Sequence, residues 1–336
     1  MAPRRRIVVS GVIPALLVAA VLVVLWIGGR WRVAGDGQDR PAGDPEFSLA
    51  PAARRLAWIE RDGARTPIAA PARGYVYPRL SPDGRLALLD IRDPAHGLWE
   101  WSFGDRRLTP ISVGRTNDIA PVWHRSGDWA VFARGRGVAP GLFRVWLDGG
   151  RAGRNARAGS VERLPAESNS LLMPSALFPD GRYLLVTASL ASGFDIQVVD
   201  LLGTEPSVPF VSSPADDLNA ECSPDGRWVA YQSRVSGQFD IWLRPAFSAG
   251  PVQQVSTEGG TRPVWTRDGA ELVYLAADGV MTARSVTSGE QGAPQFGPPE
   301  PLFAAPIYQE LVGRTYDVTP DGRRFLVIID APDPDG

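Results

Sequence analysis

The chain contains no lysine, and all 35 of its basic residues are arginines. A P-loop lysine, the strand lysine of protein kinases, a Schiff base and a Ser-Lys dyad are therefore excluded. Cysteine and histidine are almost as scarce, since the 336 residues include only Cys222, His96 and His124. A single cysteine cannot form an intramolecular disulfide, and these three residues are too few for a Cys/His zinc site. Stability must therefore come from packing.

The chain also lacks an excess of positive charge, with a formal net charge of -2. Residues 1–32 carry five Arg and no acid, so the rest of the chain has 30 Arg against 37 Asp and Glu. This acidic remainder argues against a nucleic-acid partner. Glycine, proline and tryptophan are abundant instead, at 36, 31 and 11 residues. They favour an all-β fold in which turns separate short, aromatic-rich strands.

The longest apolar run lies near the start, where residues 7–29 are uncharged. About 20 apolar residues span a bilayer as a helix, whereas the apolar core of a cleaved signal peptide has roughly 7–15. We therefore predict a transmembrane helix that acts as an uncleaved signal anchor. Three arginines precede the run and two follow it closely, which places the N-terminus in the cytoplasm.

This interpretation makes the chain a single-pass protein of the cell (inner) membrane. Residues 1–6 form a cytoplasmic tail, and residues 30–53, rich in Gly, Pro, Ala and Asp, form a flexible linker. Everything that follows the linker is expected to be periplasmic or extracellular.

One sequence unit occurs six times after the linker, and it organises the rest of the chain. Its glycines are 43, 54, 45, 43 and 53 residues apart, in the range of propeller blades. The copies are LSPDGRLALL at Leu80, WHRSGDWAVF at Trp123, LFPDGRYLLV at Leu177, CSPDGRWVAY at Cys222, WTRDGAELVY at Trp265 and VTPDGRRFLV at Val318.

Each copy has a turn signal at its centre. In Ser-Pro-Asp-Gly, Pro presets φ, Asp bonds to nearby backbone and Gly suits the close of the turn. Calcium is the alternative for the aspartates, but each is isolated from other carboxylates. We therefore predict no metal site and no cofactor, and we assign the turn residues a structural role. They are Asp83, Gly84, Gly127, Asp180, Gly181, Asp225, Gly226, Asp268, Gly269, Asp321 and Gly322.

The segments around these turns predict four strands per unit. The run after each glycine is apolar on both faces, as in a strand between neighbouring sheets, and more exposed strands follow it. The last copy ends too early to supply its own outer strands, so we expect residues 54–69 to complete its blade and close the ring. The prediction is an all-β, six-bladed propeller of four-stranded antiparallel blades over residues 54–332, with a tail at 333–336.

These repeats resemble the WD-like β-propeller repeats of the TolB type. The stretches LAWIERDGARTPI, SPDGRWVAYQSRVSGQFDIWLRP and GRTYDVTPDGRRFLV are most similar to the extracytoplasmic C-terminal propeller of bacterial membrane-anchored serine/threonine kinases. The resemblance covers roughly residues 54–330. It implies a receptor ectodomain, but the kinase domain that precedes the membrane helix in that family is absent from this sequence. We therefore expect no kinase activity.

Catalytic motifs are also absent. No Gly-x-Ser-x-Gly nucleophile elbow occurs, which argues against a peptidase. His124-Arg125-Ser126 superficially matches a kinase catalytic loop, but it has Ser where the catalytic Asp belongs and lies at a repeat turn. Cys222 takes a position that Leu or Trp holds in other copies, so we interpret it as a small buried residue. The chain is not expected to be an enzyme.

The loops that enter the innermost strands gather at one mouth of a propeller's channel, so they are the best place for a ligand. The candidates there are Tyr75, Asp118, Asp217, Asn219, Arg262, Arg314 and Tyr316. Arg79, Glu221 and Asp317 are predicted to line the channel itself. The alternative is that these charges form an internally satisfied ring of ion pairs around a water-filled channel.

The sequence therefore favours a non-catalytic, membrane-anchored sensor or scaffold module that binds a protein or peptide partner in the cell envelope. Three alternatives stay open. The propeller could assemble envelope proteins through its blade edges, or it could be the detached or truncated ectodomain of a receptor kinase. The weakest alternative is a propeller enzyme with a central metal, such as a lactonase or lyase.

Overall fold

The computed structural model describes residues 53–94, 96–113, 117–135, 140–147, 159–165, 172–191, 193–248, 250–289, 292–304, 307–310 and 312–331. All of them belong to the second of two compact units, Leu49–Gly336. The predicted tail, transmembrane helix and nearly all of the linker, together with the tail at 333–336, lie outside these residues and stay predictions. Within the part of the chain that the structure describes, no helix is long and apolar enough to cross a membrane.

The described residues form six antiparallel sheets, which confirms the predicted six-bladed all-β propeller. Strands are numbered along the chain, and each blade is given from its innermost strand outward. Blade 1 contains β3 (Tyr75–Leu80), β4 (Leu86–Ile91), β5 (Gly97–Ser102) and β6 (Arg107–Val113). Blade 2 contains β7 (Asp118–Trp123), β8 (Trp129–Arg134), β9 (Gly141–Trp146) and β10 (Val161–Arg163). Blade 3 contains β11 (Leu172–Leu177), β12 (Tyr183–Leu190), β13 (Gly193–Asp200) and β14 (Val208–Val211).

The other three blades follow the same order. Blade 4 contains β15 (Asp217–Cys222), β16 (Trp228–Ser233), β17 (Asp240–Pro245) and β18 (Gln253–Gln254). Blade 5 contains β19 (Thr261–Trp265), β20 (Glu271–Leu275), β21 (Val280–Ser288), β22 (Pro294–Phe296) and β23 (Glu300–Ala304). Blade 6 contains β24 (Tyr316–Val318), β25 (Arg324–Asp330), β1 (Arg54–Glu60) and β2 (Arg65–Pro67).

Blade 5 differs from the predicted four strands because its third strand is long. The nine residues of β21 extend beyond β20, and two short strands share its outer edge. β23 pairs with the first part of β21, with Val280 opposite Ala304, and β22 pairs with the last part, with Val286 opposite Phe296. The outermost position of this blade is therefore divided between two strands.

Blade 6 joins the two ends of the propeller. β24 and β25 come from the end of the described chain, and β1 and β2 come from its start. β1 runs antiparallel to β25 over its full length, from Arg54 opposite Asp330 to Glu60 opposite Arg324. This pairing leaves no open edge between the first blade of the chain and the last.

The core consists of layers between neighbouring blades. The second strands are buried on both faces, so that Val131 of blade 2 packs in one cluster with Leu184 of blade 3. Leu185 of blade 3 and Val229 of blade 4 share the next such cluster. Each fully buried aliphatic side chain contributes roughly 1.5–3 kcal/mol through removal of its apolar surface from water. The sandwiched position explains why these strands are apolar on both faces.

The six repeat turns join the first and second strands and define one face of the ring, which we name the turn face. In the first turn, Oδ1 of Asp83 accepts hydrogen bonds from the Ser81 hydroxyl at 2.7 Å and from the Arg85 backbone at 3.0 Å. Gly84 has φ +72°, and the other five repeat glycines have φ between +70° and +77°. Side chains disfavour this left-handed conformation, which explains the glycine of every repeat.

The opposite face carries the loops that enter the innermost strands, and we name it the crossover face. Near it three non-glycine residues have positive φ, namely Ala120 and Asn219 at +52° and Arg262 at +56°. Each lies at a register shift of its innermost strand, as in a β-bulge. Their backbone N–H groups donate to a side chain of the preceding blade, from Ala120 to Asp90, from Asn219 to Thr187 and from Arg262 to Gln232.

The acceptors share one repeat position, six residues after the turn glycine. In blade 2 that position is Ala133, which has no acceptor. The bulge position of blade 3 is correspondingly Pro174, which has no N–H to donate. Between blades 2 and 3 the acceptor and the N–H donor are therefore absent together, so neither lacks its partner.

Candidate functional site

The innermost strands frame a central cavity of about 220 Å³ that opens on the turn face. Residues of all six blades line it, among them the last residues of the innermost strands and several turn residues. Its polar and aromatic lining residues include Arg79, Trp123, Ser175, Glu221, Trp265, Arg267, Arg314 and Asp317. The cavity therefore belongs to the ring as a whole, and no single blade could form it.

Four charged side chains meet at this cavity. The Arg314 guanidinium contacts Oε2 of Glu221 at 3.0 Å and Oδ1 of Asp317 at 3.2 Å. Asp317 also accepts the backbone N–H groups of Leu80 at 2.8 Å and Val318 at 2.9 Å. Both carboxylates thus bind the same arginine, and Asp317 is held by two innermost strands.

Arg79 has no such partner. Its Nη1 donates to two backbone carbonyls, Pro78 at 3.0 Å and Arg314 at 2.8 Å. It forms no ion pair with any described carboxylate, although its residue surface is only 5% exposed. Its Nε has no hydrogen-bond partner among the described residues. Arg79 is therefore a buried cation whose hydrogen bonds go to carbonyl groups, while Glu221 and Asp317 act on its charge only from a distance.

Burial dominates the electrostatics of this cluster. It raises the pKa of Glu221, while Arg314 and Arg79 act in the opposite direction. Burial and the neighbouring Arg314 lower the pKa of Arg79 to about 9, so Arg79 still carries its charge at neutral pH. Burial alone would lower the pKa of Arg314, but Asp317 and Glu221 together raise it. The two carboxylates thus stabilise the charged form of Arg314 far more than that of Arg79.

The channel is closed on the crossover side by residues 307–310 and 312–313, which we name the plug. Tyr77 donates from its hydroxyl to the Val312 carbonyl at 2.6 Å, and Gly313 donates its N–H to Oδ1 of Asn219 at 2.7 Å. Gly313 has φ +91°, and a Cβ atom there would lie 2.4 Å from the Tyr77 ring. Glycine is required because the plug lies directly on this ring.

Arg262 holds the plug from a third blade. Its Nε donates to the Gly313 carbonyl at 3.2 Å, and its Nη2 donates to the Glu310 carbonyl. The Tyr316 hydroxyl in turn donates to the Arg262 carbonyl at 2.7 Å. Burial lowers the pKa of Arg262 and raises that of Tyr316. Asn219, Arg262 and Tyr316, three of the predicted mouth residues, therefore come together, but Asn219 and Arg262 contact the plug and Tyr316 contacts Arg262.

Of the other four predicted mouth residues, Arg314 lines the central cavity, and the remaining three do not meet. Tyr75 donates its hydroxyl to the Pro71 carbonyl, Asp118 pairs with Arg134, and Asp217 accepts the Ser213 N–H. Tyr75, Asp118 and Asp217 each begin an innermost strand, where the sequence predicts a loop. The strands begin this early because their first residues pair with the ends of the second strands, as Asp217 does with Ser233.

Trp265 is a site residue that is absent from the candidates proposed from the sequence. In blade 2 the equivalent Trp123 donates its indole N–H to the Arg79 carbonyl at 2.9 Å. The indole N–H of Trp265 has no partner among the described residues, although the residue is only 8% exposed. The two tryptophans occupy the same repeat position, so only the tertiary structure separates them. For the plug, the long interval of 53 residues between Gly269 and Gly322 was an available signal.

A second, larger cavity of about 550 Å³ lies on the turn face between blades 4 and 5. Pro224, Trp228 and the hydroxyl side chains of Thr287 and Ser288 line it, with Asp225 and Arg227 at the blade 4 turn. Trp265 lines both cavities. The turn face therefore offers two neighbouring cavities that one indole separates.

The few residues suited to metal or nucleophilic chemistry lie apart. The described ranges contain no group of three or more His, Cys, Asp or Glu side chains placed to share a metal. The His124 ring stacks on Trp129 with centroids 4.3 Å apart, and its Nδ1 contacts the Ser126 hydroxyl at 2.8 Å. Cys222 is buried, and burial raises the pKa of its thiol, which keeps it protonated.

Comparison with known proteins supports the fold. A TolB candidate from Agrobacterium tumefaciens has a TM-score of 0.61 at 17% identity, covering 84% of this chain and 99% of that one. TolB from Acinetobacter baumannii has a TM-score of 0.47 at 16% identity, over 78% and 67% of the two chains. An oligogalacturonate lyase in complex with manganese has a TM-score of 0.51 at 14% identity, over 80% of each chain.

No family profile matches the chain, and no curated protein matches it. The similarity is therefore structural, and it shows that the described residues form a TolB-like six-bladed β-propeller. Function has to be argued from the site, because a propeller fold hosts both binding proteins and enzymes.

Proposed function

We propose that the propeller is a non-catalytic module that binds a protein or peptide partner through its turn face. The observation that carries this proposal is the asymmetry of the channel. On the crossover side Tyr77, Asn219 and Arg262 hold the plug in place. On the turn side the channel ends in an open cavity lined by the charged cluster.

The composition of the turn face supports a peptide or protein ligand. Binding sites for such partners combine aromatic anchors with a few fixed polar groups. Here Trp228 and Trp265 supply aromatic surface, and Arg79 and Arg314 supply buried charge beside them. The two cavities adjoin at Trp265, so an extended segment of a partner fits across both.

The proposal includes an anchored arrangement in the cell envelope. The predicted transmembrane helix and linker precede Arg54, the first residue of β1. Arg54 pairs with Asp330, at the end of β25 that lies on the crossover face. The first strand of the propeller thus begins at the face opposite the open cavity. A receptor-kinase ectodomain separated from its kinase would have the same arrangement.

Site-directed photo-crosslinking in cells that naturally produce the chain tests this proposal. A photoreactive amino acid replaces Arg267, an exposed residue at the rim of the central cavity. The control replaces Val235, which is 55% exposed and lies on the crossover side after β16. We expect a discrete cross-linked protein or peptide at position 267 and none at 235. Cross-linking at 235 alone, or at neither position, would contradict a turn-face site.

A further inference from the structure

The central cavity has more hydrogen-bond donors than its own acceptors satisfy. Nε of Arg79, Nε of Arg314 and the indole Nε1 of Trp265 are buried without a hydrogen-bond partner among the described residues, whereas Nη1 of Arg314 lies 3.0 Å from Oε2 of Glu221. The atoms without a partner are all donors, and the carboxylates of Glu221 and Asp317 both face Arg314. Buried donors without acceptors are rare in native proteins. The cavity therefore matches a ligand that brings acceptors.

The charge distribution narrows the chemistry of that ligand. Arg314 contacts both carboxylates, whereas Arg79 has no described carboxylate within ion-pair distance. The four side chains are neutral in sum, but their negative charge is concentrated around Arg314, so Arg79 is the part of the cluster that attracts an anion. Glu221 and Asp317 lie close to it and disfavour a dianion such as phosphate through like-charge repulsion. A singly charged carboxylate satisfies Arg79 with the smallest repulsion, and its planar pair of oxygens matches a guanidinium.

The size of the central cavity agrees with a ligand group as small as a carboxylate. A volume of about 220 Å³ corresponds to roughly seven water molecules at about 30 Å³ each. That space accepts one carboxylate-bearing side chain or one chain terminus, and it is too small for a folded element. The cavity opens toward the turn face, where Arg267 and the turn prolines form its rim.

We propose that this cavity is a carboxylate subsite in which Arg79 forms the ion pair and the Trp265 indole N–H donates a second hydrogen bond. The inference rests on the proposed function and specifies its ligand, an acidic side chain or a C-terminal carboxylate of the partner. Arg314 is a positioning residue here, because its own charge is already paired and its carbonyl accepts from Arg79 at 2.8 Å.

The experiment follows the indole 15N–1H resonance of Trp265 in the purified full chain, assigned with a Trp265→Phe variant. The probes are acetate, N-acetyl-aspartate α-amide, Gly-Gly-Gly, Gly-Gly-Gly amide and inorganic phosphate. We expect a saturable shift with the three carboxylates, none with the amide, and at least tenfold weaker binding of phosphate. A stronger response to the aspartate derivative than to Gly-Gly-Gly assigns the subsite to a side chain, and the reverse order assigns it to a chain terminus.

The variants compare two arginines of the turn face. Arg79→Gln is expected to weaken acetate binding at least tenfold, and Arg85→Gln, whose side chain is 86% exposed and lines neither cavity, is expected to leave it unchanged. The inference is overturned if no carboxylate shifts the Trp265 resonance saturably, or if Arg79→Gln responds like the wild type. Should Arg79→Gln fail to fold, a soak of wild-type crystals with 4-bromobenzoate, a carboxylate that does not alkylate protein side chains, decides, since the anomalous bromine peak must then lie in the central cavity.

The two proposals fail separately. A partner that cross-links at position 267 while no carboxylate binds leaves the proposed function intact and removes the subsite. Carboxylate binding without any cross-linked partner supports the subsite and contradicts recognition of a protein or peptide.

Discussion

The backbone N–H of Arg262 donates a hydrogen bond of 2.9 Å to Oε1 of Gln232, the residue that faces it from blade 4. The same oxygen accepts Nδ2 of Asn219 at 2.8 Å. Asn219 and Arg262 both have positive φ and both hold the plug. A left-handed conformation at such residues costs about 1–2 kcal/mol each. One buried amide therefore satisfies the donors of two strained bulges that close the crossover side of the channel.

Replacement of Gln232 should destabilise the propeller. Gln232→Leu introduces an apolar side chain and leaves the Arg262 N–H and Asn219 Nδ2 without their acceptor. Each orphaned buried donor costs about 1–3 kcal/mol, so we expect the free energy of unfolding to fall by about 2–4 kcal/mol. Chemical denaturation measures this. Gln253→Leu, on the exposed strand β18, is the control and should change stability by about 0.5 kcal/mol or less.

Three glycines in turns allow conformational strain and steric overlap to be measured separately. Gly181 has φ +70°, and a Cβ atom there would lie 2.5 Å from Nε2 of His124. Gly279 has φ +82° with open space around it, and Gly104 has neither restriction. We expect alanine to be nearly neutral at 104, to cost about 1 kcal/mol at 279, and to cost about 2–4 kcal/mol at 181.

The steric part at Gly181 should disappear when the histidine ring is removed. In a His124→Ala background, Gly181→Ala should cost about as much as Gly279→Ala, roughly 1 kcal/mol. A double-mutant cycle from denaturation curves gives this number. Equal costs of the 181 substitution in both backgrounds would show that the ring yields without penalty.

Asp90 makes stability depend on pH in a defined direction. Burial raises its pKa from 3.8 to about 6, against the effect of Arg92. Between these values the native state retains a proton that the unfolded chain releases, so this contribution to stability is full below about pH 4 and is lost as the pH rises through about 6. At about 1.4 kcal/mol per pH unit the loss amounts to about 3 kcal/mol.

The test of Asp90 compares wild type with Asp90→Asn, which cannot titrate. The difference between their free energies of unfolding, wild type minus variant, should decrease between pH 4 and pH 7. A constant difference over this range would exclude a raised pKa for Asp90. The 3.4 Å hydrogen bond from the Ala120 N–H to Oδ2 places this titration at the boundary between blades 1 and 2.

Closure of the ring by blade 6 predicts the effect of truncation. A chain that begins at residue 53 retains β1 and β2, and it should unfold at the same denaturant concentration as the full chain. A chain that begins at residue 69 exposes the edge of β25 and loses the fully buried Leu56 and Ile59. Such an edge is prone to aggregation, so size-exclusion chromatography should show aggregates. Addition of a peptide of residues 53–69 should restore the monomer.

The turns and the number of blades could be predicted because their causes are local. The glycine of all six turns acts within five residues, together with Asp in five turns and Pro in four. The apolar runs after the glycines likewise indicate their burial directly. The fifth strand of blade 5 could not be predicted in the same way, because β21 has to extend beyond its neighbour before β22 can pair with it.

The site was less predictable because its properties depend on contacts between blades. Gln232 resembles any polar strand residue in the sequence, and its role appears only when the bulges of Asn219 and Arg262 face it. Trp123 and Trp265 occupy one repeat position, yet only Trp123 finds a carbonyl for its indole N–H. The described parts of the other repeats contain no segment equivalent to the plug. The repeat pattern therefore could not predict that the plug lies at the crossover mouth.

The pairing of β1 with β25 also determines how the propeller responds to force. Arg54 and Asp330 lie opposite each other at one end of this antiparallel pair. Tension applied between the two ends of the propeller would therefore separate the strands one hydrogen bond at a time, starting at Arg54. Tension between Arg54 and a partner held on the turn face instead pulls β1 along its length and loads all of its ladder bonds together. The propeller should thus yield at a lower force when its two chain ends are pulled apart than when Arg54 is pulled away from a ligand bound on the turn face.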